Sequence, residues 1–352
     1  MLLNGTSTDP FAPVLMQAVP PRVQTYLEDF RALVDIYRAM QGAMWREKHG
    51  WAPDTFHRKD TPSTAVGETG VFQGYSDPCL EHWYGVTCND AGRVIRLDLS
   101  FNGLGGAFPI TVAQLQELEV LRVSQNRIEG SIEHLMHLTR LNILEAAQNI
   151  LVGSIPKAIS NLMYLRTLNL GGNAFSGDVP AVLERLSYLE SLHLGDNAFD
   201  GALHVDLGAL ENLLFFDVSN NVLTGRLRLR VTTAKAYRSE NPSRELDAVS
   251  GKIGSIVGGE GVTFAAEGKY GNVNRTMQRN ELAIPKLVSI RASNNRLSGT
   301  LPEMLFRPPM LTDIDLSRNR FSGTLHHLMY TEQSKVNSID FSDNMFSGAL
   351  PE

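Results

Sequence analysis

One pair of histidines has the residue type and spacing that could hold a metal ion. Glu133 precedes His134 and His137, and a second pair, His326 and His327, occupies the corresponding place further along the chain. The arrangement H-E-x-x-H, in which a helix presents two imidazoles and a general base to one zinc ion, is absent. We therefore interpret these histidines as surface residues and predict no metal site.

A glycine-rich run, Gly258–Gly261, could suggest a phosphate-binding loop. Such a loop follows a hydrophobic strand and reads G-x-x-x-x-G-K-[ST], and neither feature is present here. The nucleophile elbow G-x-S-x-G and the signature sequences of protein kinases are also missing. The sequence thus predicts no catalytic residue and no cofactor, and it favours a protein that is not an enzyme.

A repeated unit organises most of the 352 residues. It reads L-x-x-L-x-L-x-x-N-x-[LF]-x-G-x-[IVL]-P and is clearest over residues 165–180. Its asparagine recurs every 23 to 25 residues, apart from one interval of 74, at Asn102, Asn126, Asn149, Asn173, Asn197, Asn221, Asn295, Asn319 and Asn344. A fixed period of this length is typical of a leucine-rich repeat solenoid.

The short L-x-L segment of each repeat predicts a strand with alternating faces. Leu168 and Leu170 should point into the core while Thr167 and Asn169 point outward. Stacked repeats would then form a parallel sheet with one buried and one solvated face. The asparagine follows the strand, where its amide can satisfy backbone groups of its own and the neighbouring coil.

The outward positions of these strands form columns that we predict to bind a ligand. Three apolar residues stand out on a face that should be wet: Val120, Ile143 and Phe215. An exposed apolar group rimmed by charge is typical of a contact surface. The remaining candidates are Arg122, Glu145, Asn169, His193, Asp217, Arg291, Asp313 and Asp315. The alternative interpretation is that each is simply a solvated residue.

The interval of 74 residues exceeds the usual 24 by about 50, which places an insertion at 226–285. It is rich in Gly, Ser and Thr, and it holds 10 Lys and Arg against 6 Asp and Glu. Loops of this length are usually functional or disordered. A contribution to ligand binding, a solvated loop and two degenerate repeats all remain open at this point.

The second half of the repeat resembles the plant-type class of leucine-rich repeats. That class includes ectodomains of plant receptor kinases, receptor-like proteins and polygalacturonase inhibitors, and similar repeats occur in surface proteins of protozoa and algae. The resemblance covers residues 22–225 and 286–352. Within it, an amphipathic segment predicted as a helix over 22–45 precedes the motif C-x-x-x-W-x-G-V-x-C at 79–88, which is similar to the N-terminal cap of the class.

The resemblance implies a disulfide between Cys79 and Cys88, the only cysteines of the chain. Two free thiols in a reducing compartment are the alternative. A zinc site would need more ligands than these two cysteines offer. Tripeptides that accept N-linked glycans begin at Asn4 and Asn274. The class also has a second strand in each repeat, which we expect to be lost where its proline is replaced, at Glu133, His204, Arg228 and His326.

We therefore divide the chain into a leader (1–21), an N-terminal cap (22–92), repeats one to six (93–225), the insertion (226–285) and repeats seven to nine (286–352). The C-terminal cap, and any anchor, is expected beyond residue 352. A net charge of −6 argues against nucleic acid as the partner, and no apolar run is long enough to span a membrane.

The expected function is recognition of a protein, peptide or glycan by the concave sheet, with the basic insertion at 226–285 sharing the contact. The alternatives are a structural surface protein and the ectodomain of a receptor kinase. We expect an extracellular or cell-surface location by resemblance, and an intracellular one is the alternative because no signal peptide is visible. The rigid, preorganised surface of a solenoid suits recognition better than catalysis.

Overall fold

The structure is a computed structural model. It describes residues 25–51, 76–229, 254–258, 261–265, 275–277, 286–306, 308–325 and 335–349. The calls on the leader, on the glycan-accepting Asn4 and Asn274, and on His326 and His327 lie outside these residues, as does most of the insertion.

One α-helix, α1 (Leu27–Ala39), precedes the strands. The strands are β1 (Val86–Cys88), β2 (Val94–Asp98), β3 (Gly105–Ala107), β4 (Val120–Arg122), β5 (Arg127–Gly130), β6 (Ile143–Glu145), β7 (Ile150–Gly153), β8 (Thr167–Asn169), β9 (Ala174–Phe175), β10 (Ser191–His193), β11 (Phe215–Asp217), β12 (Gly254–Gly258), β13 (Gly261–Ala265), β14 (Arg275–Met277), β15 (Ser289–Arg291), β16 (Ser298–Gly299), β17 (Asp313–Asp315), β18 (Arg320–Gly323), β19 (Ser338–Asp340) and β20 (Met345–Phe346). Short 3₁₀ helices cover Gly42–Met44, Ile110–Gln114, Glu133–His137, Lys157–Asn161, Ala181–Arg185, Leu207–Ala209 and Glu303–Phe306.

The main sheet has ten strands in the order β1-β2-β4-β6-β8-β10-β11-β15-β17-β19. Only β1 in this sheet is antiparallel to its neighbour, and the repeat strands pair in parallel with equivalent positions opposite each other. Thr167 thus faces Ser191, and Leu168 faces Leu192. The predicted solenoid with a parallel sheet is confirmed.

The segment between β11 and β15 adds no strand to this sheet among the described residues. Phe216 pairs directly with Ile290, so the chain leaves the stack and returns to the next position in it. Within this segment, β12, β13 and β14 form a separate antiparallel sheet. Two degenerate repeats within the stack are therefore excluded, because no coil separates Phe216 from Ile290.

The asparagines hold each coil to the one before it. The Asn149 Oδ1 accepts a hydrogen bond from the Ile128 amide at 2.9 Å, and its Nδ2 donates to the carbonyls of Val123 and Ala146 at 3.0 and 3.1 Å. The same pattern recurs at Asn126, Asn173, Asn197, Asn221, Asn295, Asn319 and Asn344. Because backbone groups at these turns have no partner within their own coil, the amides satisfy them.

A continuous core fills the space behind the main sheet. The strand leucines are fully buried, and so are the apolar residues two positions after each asparagine from Asn102 to Asn319. Phe175 and Phe199 stack at 6.2 Å between ring centroids in adjacent coils. Each coil thereby buries its apolar side against the next coil, and the rigid stack fixes where the outward side chains of the sheet stand.

The N-terminal cap seals the first coil with aromatic side chains. Trp45, Trp51 and Trp83 are buried, and the ring centroids of Trp51 lie 5.0 Å from those of both other tryptophans. Buried Asp29 on α1 ties the cap to β2, since it accepts hydrogen bonds from Arg93 Nη2 at 2.9 Å and from the Val94 amide at 2.8 Å. The aromatic cluster hides the apolar end of the stack from water.

The helix is shorter than the predicted 22–45. Tyr26 is extended and its amide donates to Gly92, which fixes the start at Leu27. At the other end Gln41 takes a left-handed conformation with φ of 59°, and a 3₁₀ turn follows. An apolar period alone did not reveal this break, because Gln is uncommon in that conformation.

We expected the second strand of a repeat to be lost where its proline is replaced, and this expectation was wrong. The strand is present in β5, ahead of Glu133, and in β18, ahead of His326, while only isolated bridges form in the coils with His204 and Arg228. Prolines of the repeat stand later, at the start of the 3₁₀ helices. The strand instead pairs through earlier amides, such as that of Arg127, which donates to Leu104.

Candidate functional site on the concave sheet

The solvent-facing side of the ten-stranded sheet, which we call the concave face, carries every predicted ligand-binding residue. Strand alternation places two outward residues on each repeat strand, and parallel pairing aligns them into two columns. The first column contains Val120, Ile143, Phe215 and Asp313. The second contains Arg122, Glu145, Asn169, His193, Asp217, Arg291 and Asp315.

The three apolar candidates do not form one patch. Val120 and Ile143 face each other on neighbouring strands β4 and β6, and both are half-buried. Phe215, which is 40% exposed, stands three strands further along, about 14 Å from Ile143 at the usual strand spacing. The face therefore offers an apolar pair and a separate phenyl ring.

Alternating charges surround the apolar pair. Arg96 Nη2 lies 2.9 Å from Asp98, and Arg122 lies 3.8 Å from Asp98 and 3.0 Å from Glu145. The contact of Arg122 Nε with Glu145 is an ion pair without hydrogen-bond geometry. Two guanidinium groups and two carboxylates leave this network without net charge.

The middle of the face is polar and uncharged at neutral pH. His193 Nε2 lies 2.7 Å from Ser191 Oγ. Burial lowers the pKa of His193, partly opposed by Asp217, so the imidazole is neutral at pH 7. Asn169 Oδ1 accepts a hydrogen bond from the Gly171 amide at 3.2 Å.

Carboxylates on the later repeats are held by local hydrogen bonds. The Asp217 Oδ1 accepts from the Ser219 hydroxyl at 2.6 Å, and the same pattern joins Asp315 to Ser317. Arg291 Nε donates to Asp313 at 2.9 Å, and this bond raises the pKa of Arg291. The orientation of these side chains is therefore set before any ligand arrives.

Two aromatic residues of the concave face were not predicted from the sequence. Tyr84, in the cap, and Phe101, just after β2, are exposed and line a depression of about 560 Å³ with Asp98, Arg122 and Glu145. Strand alternation ends before Phe101, so the column pattern could not place it. The available signal was that an aromatic residue occupies a repeat position that elsewhere holds Gln, Gly, Asp, Asn or Arg.

The histidine pair and the glycine-rich run form neither a metal site nor a phosphate loop in the part of the chain that the structure describes. His134 and His137 lie on one 3₁₀ helix, and no metal-binding cluster of His, Cys, Asp or Glu occurs among the described residues. Gly258 pairs with Gly261 across antiparallel strands β12 and β13, whereas a phosphate loop joins a strand to a helix.

The two cysteines are joined. The Sγ atoms of Cys79 and Cys88 lie 1.99 Å apart, with 5.6 Å between the Cα atoms. The disulfide implied by the cap motif is therefore present, in place of two free thiols. It joins the loop that precedes β1 to the last residue of that strand.

A comparison with known families matches the Leucine Rich Repeat to residues 164–186. These residues run from the end of one 3₁₀ helix through β8 and β9 to the next, which is one complete coil. The chain is a leucine-rich repeat solenoid. Its repeats are similar to those of plant receptor proteins.

Phytosulfokine receptor 1 of Arabidopsis thaliana is 39% identical to the solenoid over 82 residues, which are 22% of this chain and 8% of that receptor. Among solved structures, the plant peptide hormone receptor RGFR1 in complex with RGF2 matches 72% of this chain and 33% of its own, with a TM-score of 0.54 and 22% identity. A plant ice-binding protein matches 94% of this chain and 90% of its own, with a TM-score of 0.55 and 19% identity. At such identities the two structures share the fold.

No helix among the described residues has the length and apolar character needed to cross a bilayer. The solenoid corresponds to a small part of the curated relatives' length, so the function of a whole protein is a separate question from that of the concave face.

Proposed function

We propose that this solenoid is a recognition module that binds an extended peptide along the concave face. The observation that carries the proposal is the apolar pair Val120 and Ile143, which stands on the solvated side of the sheet between ion pairs. An outward pair of Val and Ile side chains contributes only about 0.2–1 kcal/mol to folding through cross-strand packing. Apolar groups within a polar rim are instead the usual anatomy of a binding hot spot.

The preorganised polar groups support the same conclusion. Ion pairs and Asp–Ser hydrogen bonds fix most charged side chains of the face, so a ligand would lose little side-chain entropy in meeting them. A column of such groups at strand spacing suits a ligand with repeating polar groups, such as a peptide backbone. The solved RGFR1 structure contains a peptide hormone receptor of the same fold, which agrees with a peptide as the ligand.

The proposed location is outside the cell or on its surface. Cys79 and Cys88 form a disulfide. Disulfides persist in oxidising compartments and are rare in the cytosol. Several similar proteins are receptor-like kinases, so the ectodomain of a receptor is the wider context that we propose. Mass spectrometry of the protein from its natural source, alkylated without reductant, should find the disulfide intact; alkylation of both thiols would place the protein inside the cell.

Selection of a random dodecamer peptide library on the complete chain tests the proposed function. Hydrogen exchange of the chain with a selected peptide should then show new protection on the amides that follow β4, β6 and β8. Protection confined to the 3₁₀ helices on the opposite side, or the absence of any peptide with micromolar affinity, would contradict a peptide-binding concave face.

A second measurement separates recognition from a purely structural role. The Phe215→Ala variant, which removes a ring that is 40% exposed, should fold normally and lose affinity for peptides that reach the middle of the face. If the protein is a spacer without a ligand, no binding assay should distinguish Phe215→Ala from wild type.

A further inference from the structure

Phe101 occupies a backbone position that disfavours its side chain. Its φ is 59°, and the equivalent residues of the other coils have the same left-handed conformation. They are Gln125, Gln148, Gly172, Asp196, Asn220, Asn294, Arg318 and Asp343. For a bulky residue without a short polar side chain this conformation is a genuine outlier.

The repeat imposes that conformation on Phe101. The Phe101 amide donates to the Ser124 carbonyl of the next coil at 2.9 Å, just as the Gln125 amide donates to Ala147 at 2.8 Å. These bonds belong to the stack itself, so the backbone cannot relax without breaking the pairing of two coils. The phenylalanine must accept the strain.

Burial does not compensate for the strain. Phe101 is 58% exposed and Tyr84, which lines the same depression, is 37% exposed. An aromatic residue that is both strained and solvated stabilises neither its backbone nor the core. Local strain of this kind is typically retained where it serves a function.

The charges around the depression indicate which ligand group fits it. Asp98, Arg122 and Glu145 line its wall, and Arg96 completes the ion-pair network with Asp98. Each charge is already matched by an opposite one, so a charged ligand group finds no net attraction there. The two aromatic rings, in contrast, are partly open to solvent and favour an uncharged apolar group.

The depression lies next to the apolar pair of the concave face. Arg122 and Glu145 form its far wall, and they lie on the same strands as Val120 and Ile143. A peptide along the face would therefore place one of its residues beside Phe101 at the cap end of the sheet.

We propose that Phe101 and Tyr84 form an anchor subsite for one bulky apolar side chain of the peptide, either aromatic or large and aliphatic. The inference rests on the proposed function, because it names the residue class that one end of the same ligand must carry. It also accounts for the phenylalanine at a position where Asn, Gln or Gly would fold more easily.

The Phe101→Asn variant tests the anchor, because Asn occupies the same position in two other coils, as Asn220 and Asn294. The change relieves the strain, so the melting temperature should stay constant or rise. Affinity for dodecamers selected on the wild-type chain should fall by at least about tenfold. The matched control Gln125→Asn, at the equivalent exposed position, should alter affinity by less than about twofold.

A double-mutant cycle adds the identity of the ligand group. Replacing the apolar anchor residue of a selected peptide by Ala should weaken binding to the wild-type chain but not to Phe101→Asn, since the two changes remove one contact. Tyr84→Ser should behave like Phe101→Asn, while Tyr188→Ser, which alters a comparably exposed tyrosine elsewhere, should not.

The outcomes separate the anchor from the wider function. If peptides bind less well to a Val120 and Ile143 variant but equally well to Phe101→Asn, the concave face binds peptides and the anchor is wrong. If binding is indifferent to all these changes, both proposals fail. A melting temperature that falls by several degrees in Phe101→Asn would show that Phe101 serves the fold and would also overturn the anchor.

Discussion

The Asn149 side chain accepts a hydrogen bond from the backbone amide of Ile128, 21 residues earlier and one coil away. Its Nδ2 also donates to the Val123 carbonyl of that earlier coil and to the Ala146 carbonyl of its own. One buried amide thus closes the turn of one coil and holds it against another. Because the pattern recurs along the stack, these asparagines set the spacing at which the concave face presents its side chains.

Asn149→Ala should lower the free energy of unfolding by about 1–3 kcal/mol, because it leaves the buried Ile128 amide without a partner and removes one of the two donors to the Val123 carbonyl. Urea denaturation followed by circular dichroism measures the change. Asn161→Ala, at an exposed position, is the control and should stay within about 0.5 kcal/mol of wild type. Equal midpoints for the two variants would mean that the asparagines do not hold the coils together.

Asp29→Ala should destabilise the cap by about 3 kcal/mol, since it removes a fully buried carboxylate that binds Arg93 and the Val94 amide. Differential scanning calorimetry should show a lower melting temperature, with exposed Asp90→Ala as the control. If Asp29→Ala melts together with wild type, the cap does not depend on this contact to hold α1 against β2.

The melting temperature should depend on the protonation of His193. Burial lowers the pKa of His193 in the folded protein below its ordinary 6.5, so the unfolded chain takes up the proton first. This contribution to stability is fully present above pH 6.5 and is lost as the pH falls below that value. His193→Gln should remove it and flatten the dependence, despite the nearby charges of Asp217, Arg291 and Glu145.

Melting curves of both proteins between pH 7.5 and 5.5 check this prediction. As the pH falls, the melting temperature of wild type should decrease more than the melting temperature of His193→Gln. A constant difference across this range, or an NMR titration of His193 with a midpoint above 6.5, would contradict the effect of burial.

The repeat made the fold and the two outward columns predictable from the sequence. A period of about 24 residues fixes which residues stack, and alternation within L-x-L decides which of them face solvent. Arg122 and Glu145 could therefore be placed on adjacent strands and on one face before their ion pair was seen.

Features outside the repeated strands were harder to predict from the sequence. Phe101 faces the concave side because of a left-handed turn after the strand, and Tyr84 comes from a cap loop that the repeat does not describe. The end of α1 at Ala39 depends on the left-handed Gln41, which an apolar period cannot show. The distance between Phe215 and the pair Val120 and Ile143 follows from counting strands, which residue type alone does not convey.

The most direct test of a ligand-binding concave face compares two double variants with the same chemistry. Val120→Thr with Ile143→Thr alters the apolar pair of the concave face. Val152→Thr with Ile150→Thr makes the same exchange on β7, in the four-stranded sheet β3-β5-β7-β9, where these side chains are 46% and 53% exposed. Both should fold like wild type, because neither pair belongs to the core.

The measurement is the affinity of fluorescently labelled dodecamers, selected on the wild-type chain, for each double variant. We predict that the Val120 and Ile143 variant binds at least tenfold more weakly, a loss of about 1.4 kcal/mol, while the Val152 and Ile150 variant stays within about twofold of wild type. Equal affinities for the two variants would contradict the account.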